Sequence, residues 1–224
     1  MWALAIGLIA VPLGSAIRWL GLFLRPHVER RLLLATPVVA LAIAGCAIAY
    51  AAATGKGSSD VLFSGQSDLG PLIAHSASYS VGALLLLLAF KGFAYGASLS
   101  SFRGGPTFPA MFLGAAGGIA LSHLPGLPLI DGVAMGIGAM TVVMLRLPLT
   151  SVLLATLLLG ADGVAVMPLV IVAVVVAYVA SARLTPTPAA APAGNTAAPT
   201  PNTASHDERP ATAPPARARE TDAT

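Results

Sequence analysis

Charge is what this sequence has least of. Of its 224 residues 9% are Asp, Glu, Lys or Arg against 56% hydrophobic, and the mean hydropathy is +0.84. A soluble domain carries about 25% charged residues. A chain this poor in them cannot cover a water-facing surface, which excludes an ordinary soluble fold and makes lipid the solvent. One cysteine, Cys46, excludes an intrachain disulfide and a cysteine metal site, and reads as a small apolar residue. His27 has no second ligand at metal-binding spacing and reads as a solvated loop residue, as does His123, while His75 reads as a boundary residue. The net charge of +3 is small, and no basic surface studded with aromatics suggests nucleic acid. No nucleophile, base and orienting partner can be assembled at a common depth, so neither an enzyme nor a cofactor is expected. Carboxylates are missing from the apolar runs: Asp60, Asp68, Asp131 and Asp162 all fall in stretches that read as loops, which argues against a transporter of cations or neutral solutes. The positive charges of the first segment, Arg18 and Arg25, follow its apolar run, the wrong order for a secretory signal.

What remains is a chain of apolar segments, some long enough to cross a bilayer and some not. Residues 1–24, 32–53, 79–100 and 164–182 are near the ~20 apolar residues that a spanning helix needs. The first is interrupted at Pro12-Leu13-Gly14 and ends in the cluster 25–31, whose charges mark a membrane–water boundary. Thr54-Gly55-Lys56-Gly57-Ser58-Ser59-Asp60 lacks the Walker spacing and reads as a polar connection. Residues 61–77, broken by Gly65, Asp68, Gly70 and Pro71, suit a short helix dipping into the membrane or lying on its surface. In the third long segment, Lys91 either snorkels to the interface or lines a pathway. Residues 109–121, 132–145 and 151–159 are too short to span and read as partial crossings, with Arg146-Leu147-Pro148-Leu149-Thr150 breaking the chain between the last two. The glycines in 114–118 and 132–138 read as contacts for close helix packing, and Arg146 and Asp162 as boundary anchors. After Leu184 the repeated Thr-Pro and Ala-Pro cannot bury a core, so 184–224 is expected to be a disordered tail rich in Pro, Ala and Thr, and 1–183 the transmembrane region. The fold class is therefore an all-α polytopic membrane protein with short, broken and re-entrant helices.

The centre of this arrangement is Arg103-Gly104-Gly105-Pro106-Thr107-Phe108-Pro109. Paired glycines permit a turn that other residues resist, and Pro106 is pre-set for a first helical turn, so a helix is predicted to start there. Its first N–H groups have no intrahelical partner and carry the positive end of the helix dipole, which attracts an anion. Irregular backbone at membrane depth survives only when it is buried in protein or lines a water-filled cavity. Discontinuous helices of this kind place their ends where ions bind.

Gly104-Gly105-Pro106-Thr107-Phe108-Pro109, preceded by a long helix bearing Lys91 and followed by a short Gly/Ala helix, resembles the Gly-x-Phe-x-Pro region of CLC chloride channels and chloride/proton antiporters. Gly136-Ile137-Gly138-Ala139-Met140 followed by Arg146-Leu147-Pro148-Leu149-Thr150 resembles that family's Gly-Met-Ala-Ala stretch and its Arg-Ala-Pro-Leu-Thr. The resemblance covers roughly 1–183. It implies two inverted-topology halves in a homodimer with one anion pathway per subunit, of which this chain matches the second half and the end of the first. The family's Gly-Ser-Gly-Ile-Pro motif and the motif of its gating glutamate belong to the other half and have no counterpart here. The resemblance therefore implies a channel or anion/proton antiporter for chloride or a similar small anion, acting as an incomplete or split chain. The alternative is a non-conducting half that needs a separate N-terminal partner. It also implies a cytoplasmic tail and an anion site at Gly104, Gly105, Pro106, Thr107, Phe108 and Pro109. Family members lend the amides that map to Pro106 and Thr107; Pro106 has none to give, which passes the role to Thr107 and Phe108 and to the Thr107 hydroxyl. Where many members carry Glu-x-Thr this chain has Leu157-Leu158-Leu159, and Tyr178 lies too early to match the family's ion-touching tyrosine.

Overall fold

The computed structural model describes residues 1–62, 65–101 and 105–184, apart from the side chains of 29, 30, 32 and 33. Residues 185–224, where the sequence predicts disorder, lie outside the described residues, as do Arg103 and Gly104 of the central motif. All regular structure among the described residues is helical: α1 (Trp2–Arg30), α2 (Leu32–Thr54), α3 (Ser59–Leu62), α4 (Leu69–Ala74), a 3-10 turn at Ser76–Ser78, α5 (Val81–Ser101), α6 (Thr107–Ser122), α7 (Leu129–Leu145), α8 (Pro148–Leu159) and α9 (Ala161–Leu184). Four of these are long and apolar enough to cross a membrane, over Trp2–Val28, Leu34–Thr54, Val81–Ser101 and Ala161–Leu184. They coincide with the four long segments of the sequence. α1 runs unbroken through Pro12 and Pro26, so the expected interruption does not break it, and it ends at Arg30, within the charged cluster 25–31.

The core is α7. Every residue from Gly132 to Val143 is buried, with α1, α6, α8 and α9 packed around it. Small residues bring these helices together. A Cβ added at Gly114 would stand 2.3 Å from the Gly136 carbonyl oxygen, and one at Gly118 would stand 2.1 Å from that of Gly132. Gly114 meets Gly136 and Gly118 meets Gly132, so α6 and α7 are antiparallel, with backbones in contact along a glycine seam. Close packing is thus the role of these glycines, as their spacing suggests. α1 and α5 run parallel: Gly92 faces Ile17, Gly96 faces Leu20, and Gly21 faces Leu99. α2 is the outlying helix, its lipid-length stretch only 17% buried.

The carboxylates correct the sequence reading. Asp60 lies in the first turn of α3, Asp131 in that of α7 and Asp162 in that of α9, while Asp68 is the N-cap of α4. They read as loop residues because Gly, Pro and Ser surround them. A carboxylate in a first turn complements the positive end of the helix dipole, which explains their placement. Asp60 is buried at 9% exposure, the only one of the four in the buried class.

Candidate anion site at the start of helix α6

The start of α6 is set by the helix before it. Tyr95, 7% exposed, donates its hydroxyl hydrogen to the Pro106 carbonyl at 2.9 Å. Tyr95 lies six residues before the end of α5, so α6 begins about 9 Å inside the α5 terminus. Gly105 and Pro106, which belong to no helix, therefore lie beside α5, one of the four helices long and apolar enough to cross a membrane.

Pro106, φ −77° and ψ −9°, is the N-cap and Thr107 the first helical residue. The predicted helix therefore starts one residue later than Pro106, with Pro109 as the proline inside its first turn. The first backbone bond runs from the Ala110 N–H to the Pro106 carbonyl at 3.4 Å. Pro109 has no N–H, so the donors of the first turn without an intrahelical acceptor are the amides of Thr107 and Phe108. Ala110 below them is fully buried against Ile17, Leu113 and Met140. Above, the turn is open: Gly105 and Phe108 are exposed, Phe108 at 39%, and a Cβ at Gly105 would meet nothing within 4 Å. Gly105, Pro106, Thr107, Phe108 and Pro109 are thus brought together at one helix start. Gly104 lies outside the described residues.

Lys91, one turn before Tyr95 on the same face of α5, points into the protein. It is 2% exposed. Its ammonium donates to the backbone carbonyl of Asp60 and sits 4.1 Å from the centroid of the Phe112 ring on α6. At that exposure it does not snorkel to water. The Tyr79 hydroxyl donates to the Asp60 carboxylate at 3.1 Å, and the buried Tyr50 hydroxyl faces the same carboxylate without closing to hydrogen-bond geometry. Burial pushes the Asp60 carboxyl above its ordinary value; the Tyr79 hydroxyl pulls it down, Asp68 pushes it up, and Lys91 and Tyr50 pull it down. Burial, chiefly, and then the Asp60 charge also push the Tyr79 phenol up. The apolar cleft beside the seam, about 120 Å³ between α1, α5, α6 and α7, offers no donor to an anion.

The voltage gated chloride channel family model matches residues 1–182, four-fifths of the chain and all seven long helices except the last residues of α9. The chain belongs to the voltage gated chloride channel family. No curated protein and no solved structure matches it. Membership makes this a membrane protein of a chloride-channel family and agrees with the resemblance carried by the Gly-Gly-Pro-Thr-Phe-Pro and Arg-Leu-Pro-Leu-Thr stretches. In this family member the sequence missed Tyr95 and Asp60 as the groups that fix the α5–α6 junction. The available signal was the four-residue spacing of Lys91 and Tyr95, which puts both on one helix face.

Proposed function

We propose that this chain supplies the α6 part of a pathway for chloride or a similar small anion, as a channel or an anion/proton antiporter. The observation that carries the reading is the start of α6 beside α5, with no acceptor for the Thr107 and Phe108 amides among the described residues and the turn open. Amides fixed at a helix start need no reorganisation to receive an anion and carry the favourable end of the dipole. The Thr107 hydroxyl adds one further donor. In this reading the protein is multi-pass in the cell membrane with its tail in the cytoplasm, and it works as a homodimer or with a complementary N-terminal half.

A second reading has the chain conduct nothing until that other half closes the site. The exposure of Phe108 and the empty space at Gly105 support it, because a finished anion site excludes both lipid and bulk water from its donors.

Chloride efflux from liposomes under an imposed gradient, with and without a protonophore, tests both. Gly105→Leu is the useful variant, since its side chain enters open space and leaves the fold intact while covering the amides. Efflux above empty liposomes that the variant abolishes supports conduction by this chain. Well-folded protein without efflux favours the second reading, which co-reconstitution with a protein bearing the family's other half then tests.

A further inference from the structure

Helices α1 and α6 are held apart. Each packs along α5 and along α7, and neither packs along the other. The cleft of about 120 Å³ is the gap between them. Every side chain that lines it is aliphatic or a methionine, and its floor is glycine: Gly114, Gly118 and Gly136 of the seam, with Gly117 beside them. A Cβ at Gly117 would meet nothing within 4 Å, so the space begins at the α6 backbone itself.

In a membrane such a space can hold water, stay empty or take up hydrocarbon. Water needs about two to four polar partners, and these side chains offer none. Left empty, the walls forfeit their dispersion contacts on one side. Hydrocarbon meets neither objection, and an apolar cavity of about 150 Å³ is roomy enough for a benzene ring.

The position of the cleft says where the hydrocarbon comes from. α1 starts at Trp2, and the cleft runs along it from Ile6 to Leu13, from about 6 Å to about 16 Å inside the helix end. That depth is about half of a ~30 Å hydrocarbon core, the reach of one acyl chain from its headgroup. The same depth recurs on the parallel helix α5, where Leu85 and Leu88 lie one and two turns inside Val81. The rim is continuous with the surface that the spans turn to lipid: Ile9 is 51% exposed and Leu85 56%. Behind it, no residue in 110–122 is exposed.

We propose that the cleft between α1 and α6 is a binding site for one acyl chain of a membrane phospholipid, which enters past Ile9 and Leu85 and lies against Gly117. The site is separate from the Thr107 and Phe108 amides at the other end of α6 and stands whether or not the chain conducts.

Photolabelling of the full chain tests this, in nanodiscs of phosphatidylcholine that carries a diazirine on one acyl chain. After irradiation and digestion, mass spectrometry locates the label. It is expected in 113–121 and also on α2, the outlying helix, which reports the lipid that merely coats the surface. Gly117→Leu puts its side chain into the cleft, and it is expected to lose the label in 113–121 while keeping that on α2. Ala120→Leu narrows the cleft from its half-buried edge with the same expected loss, and carries the test should Gly117→Leu fail to fold. Label on α2 with none in 113–121 of the wild type overturns the proposal, as does equal label there in the wild type and both variants. So does label in 113–121 that vanishes once a disc holds two copies of the chain, or the chain with a protein bearing the family's other half, which assigns the cleft to that partner.

Discussion

Two junctions hold the helices around α6, and they are built from opposite materials. Along the α6–α7 seam no polar side chain takes part: glycines let backbone touch backbone, and a single methyl would stand 2.1 to 2.3 Å from a carbonyl oxygen. At the α5–α6 junction the groups are charged and hydroxylic, with Lys91 held by the Asp60 carbonyl and the Phe112 ring and Tyr95 holding the Pro106 carbonyl. The seam works by shape, which lipid cannot weaken. The junction works by pairing, which lipid strengthens because an unpaired polar group has no water to turn to. The first therefore responds to volume and the second to charge and pH.

The sharpest way to break the contrast is Gly118→Ala. Its methyl meets backbone, which cannot move aside like a side chain, and a loss of about 3 kcal/mol or more is expected, read as a lowered unfolding midpoint in detergent. Lys91→Met comes next. It preserves the bulk over Phe112 but leaves the Asp60 carbonyl without its charged donor, a change of about 2 kcal/mol; faster amide hydrogen exchange in α3, with little change in α7, is the expected signature. A smaller effect is expected from acid. Because burial raises the Asp60 carboxyl, the folded chain holds that proton more tightly than the unfolded chain. Stability therefore falls as pH rises through the window between the ordinary carboxylate value and the raised one, and is lowest above it. Thermal midpoints from about pH 4 to pH 8 should fall with rising pH in the wild type, and Asp60→Asn should remove that slope. Smallest of all is Gly117→Ala, one residue from the most sensitive seam position. A Cβ there meets nothing within 4 Å, so a gain of up to about 1 kcal/mol is expected. If Gly117→Ala and Gly118→Ala behaved alike, the seam would not be a seam.

The seam was legible before any coordinates. Small residues four apart on two short helices have few other uses in lipid, and the long apolar segments were equally plain. The junction was not. Lys91 and Tyr95 are both satisfied by backbone carbonyls, and a carbonyl has no residue identity for a sequence to display. Asp60 is 31 residues before Lys91, across a segment that reads as a short helix but gives no sign of which residue at its start meets α5. The start of α6 was placed within one residue. Pro106, expected in its first turn, is instead its N-cap.

The seam also bears on how the chain reaches the membrane. α6 and α7 have 16 and 17 residues, about 24 to 26 Å each, short of the bilayer core, and the loop from His123 to Pro128 joins them tightly. Neither is a good substrate for insertion by itself. Zipped together through their glycines, they form a hairpin that hides its own backbone polarity and can be handed into a groove already walled by α1. The glycines are then a requirement of biogenesis as well as of the finished fold, and seam substitutions should lower the yield of inserted chain even where the surviving protein is well folded.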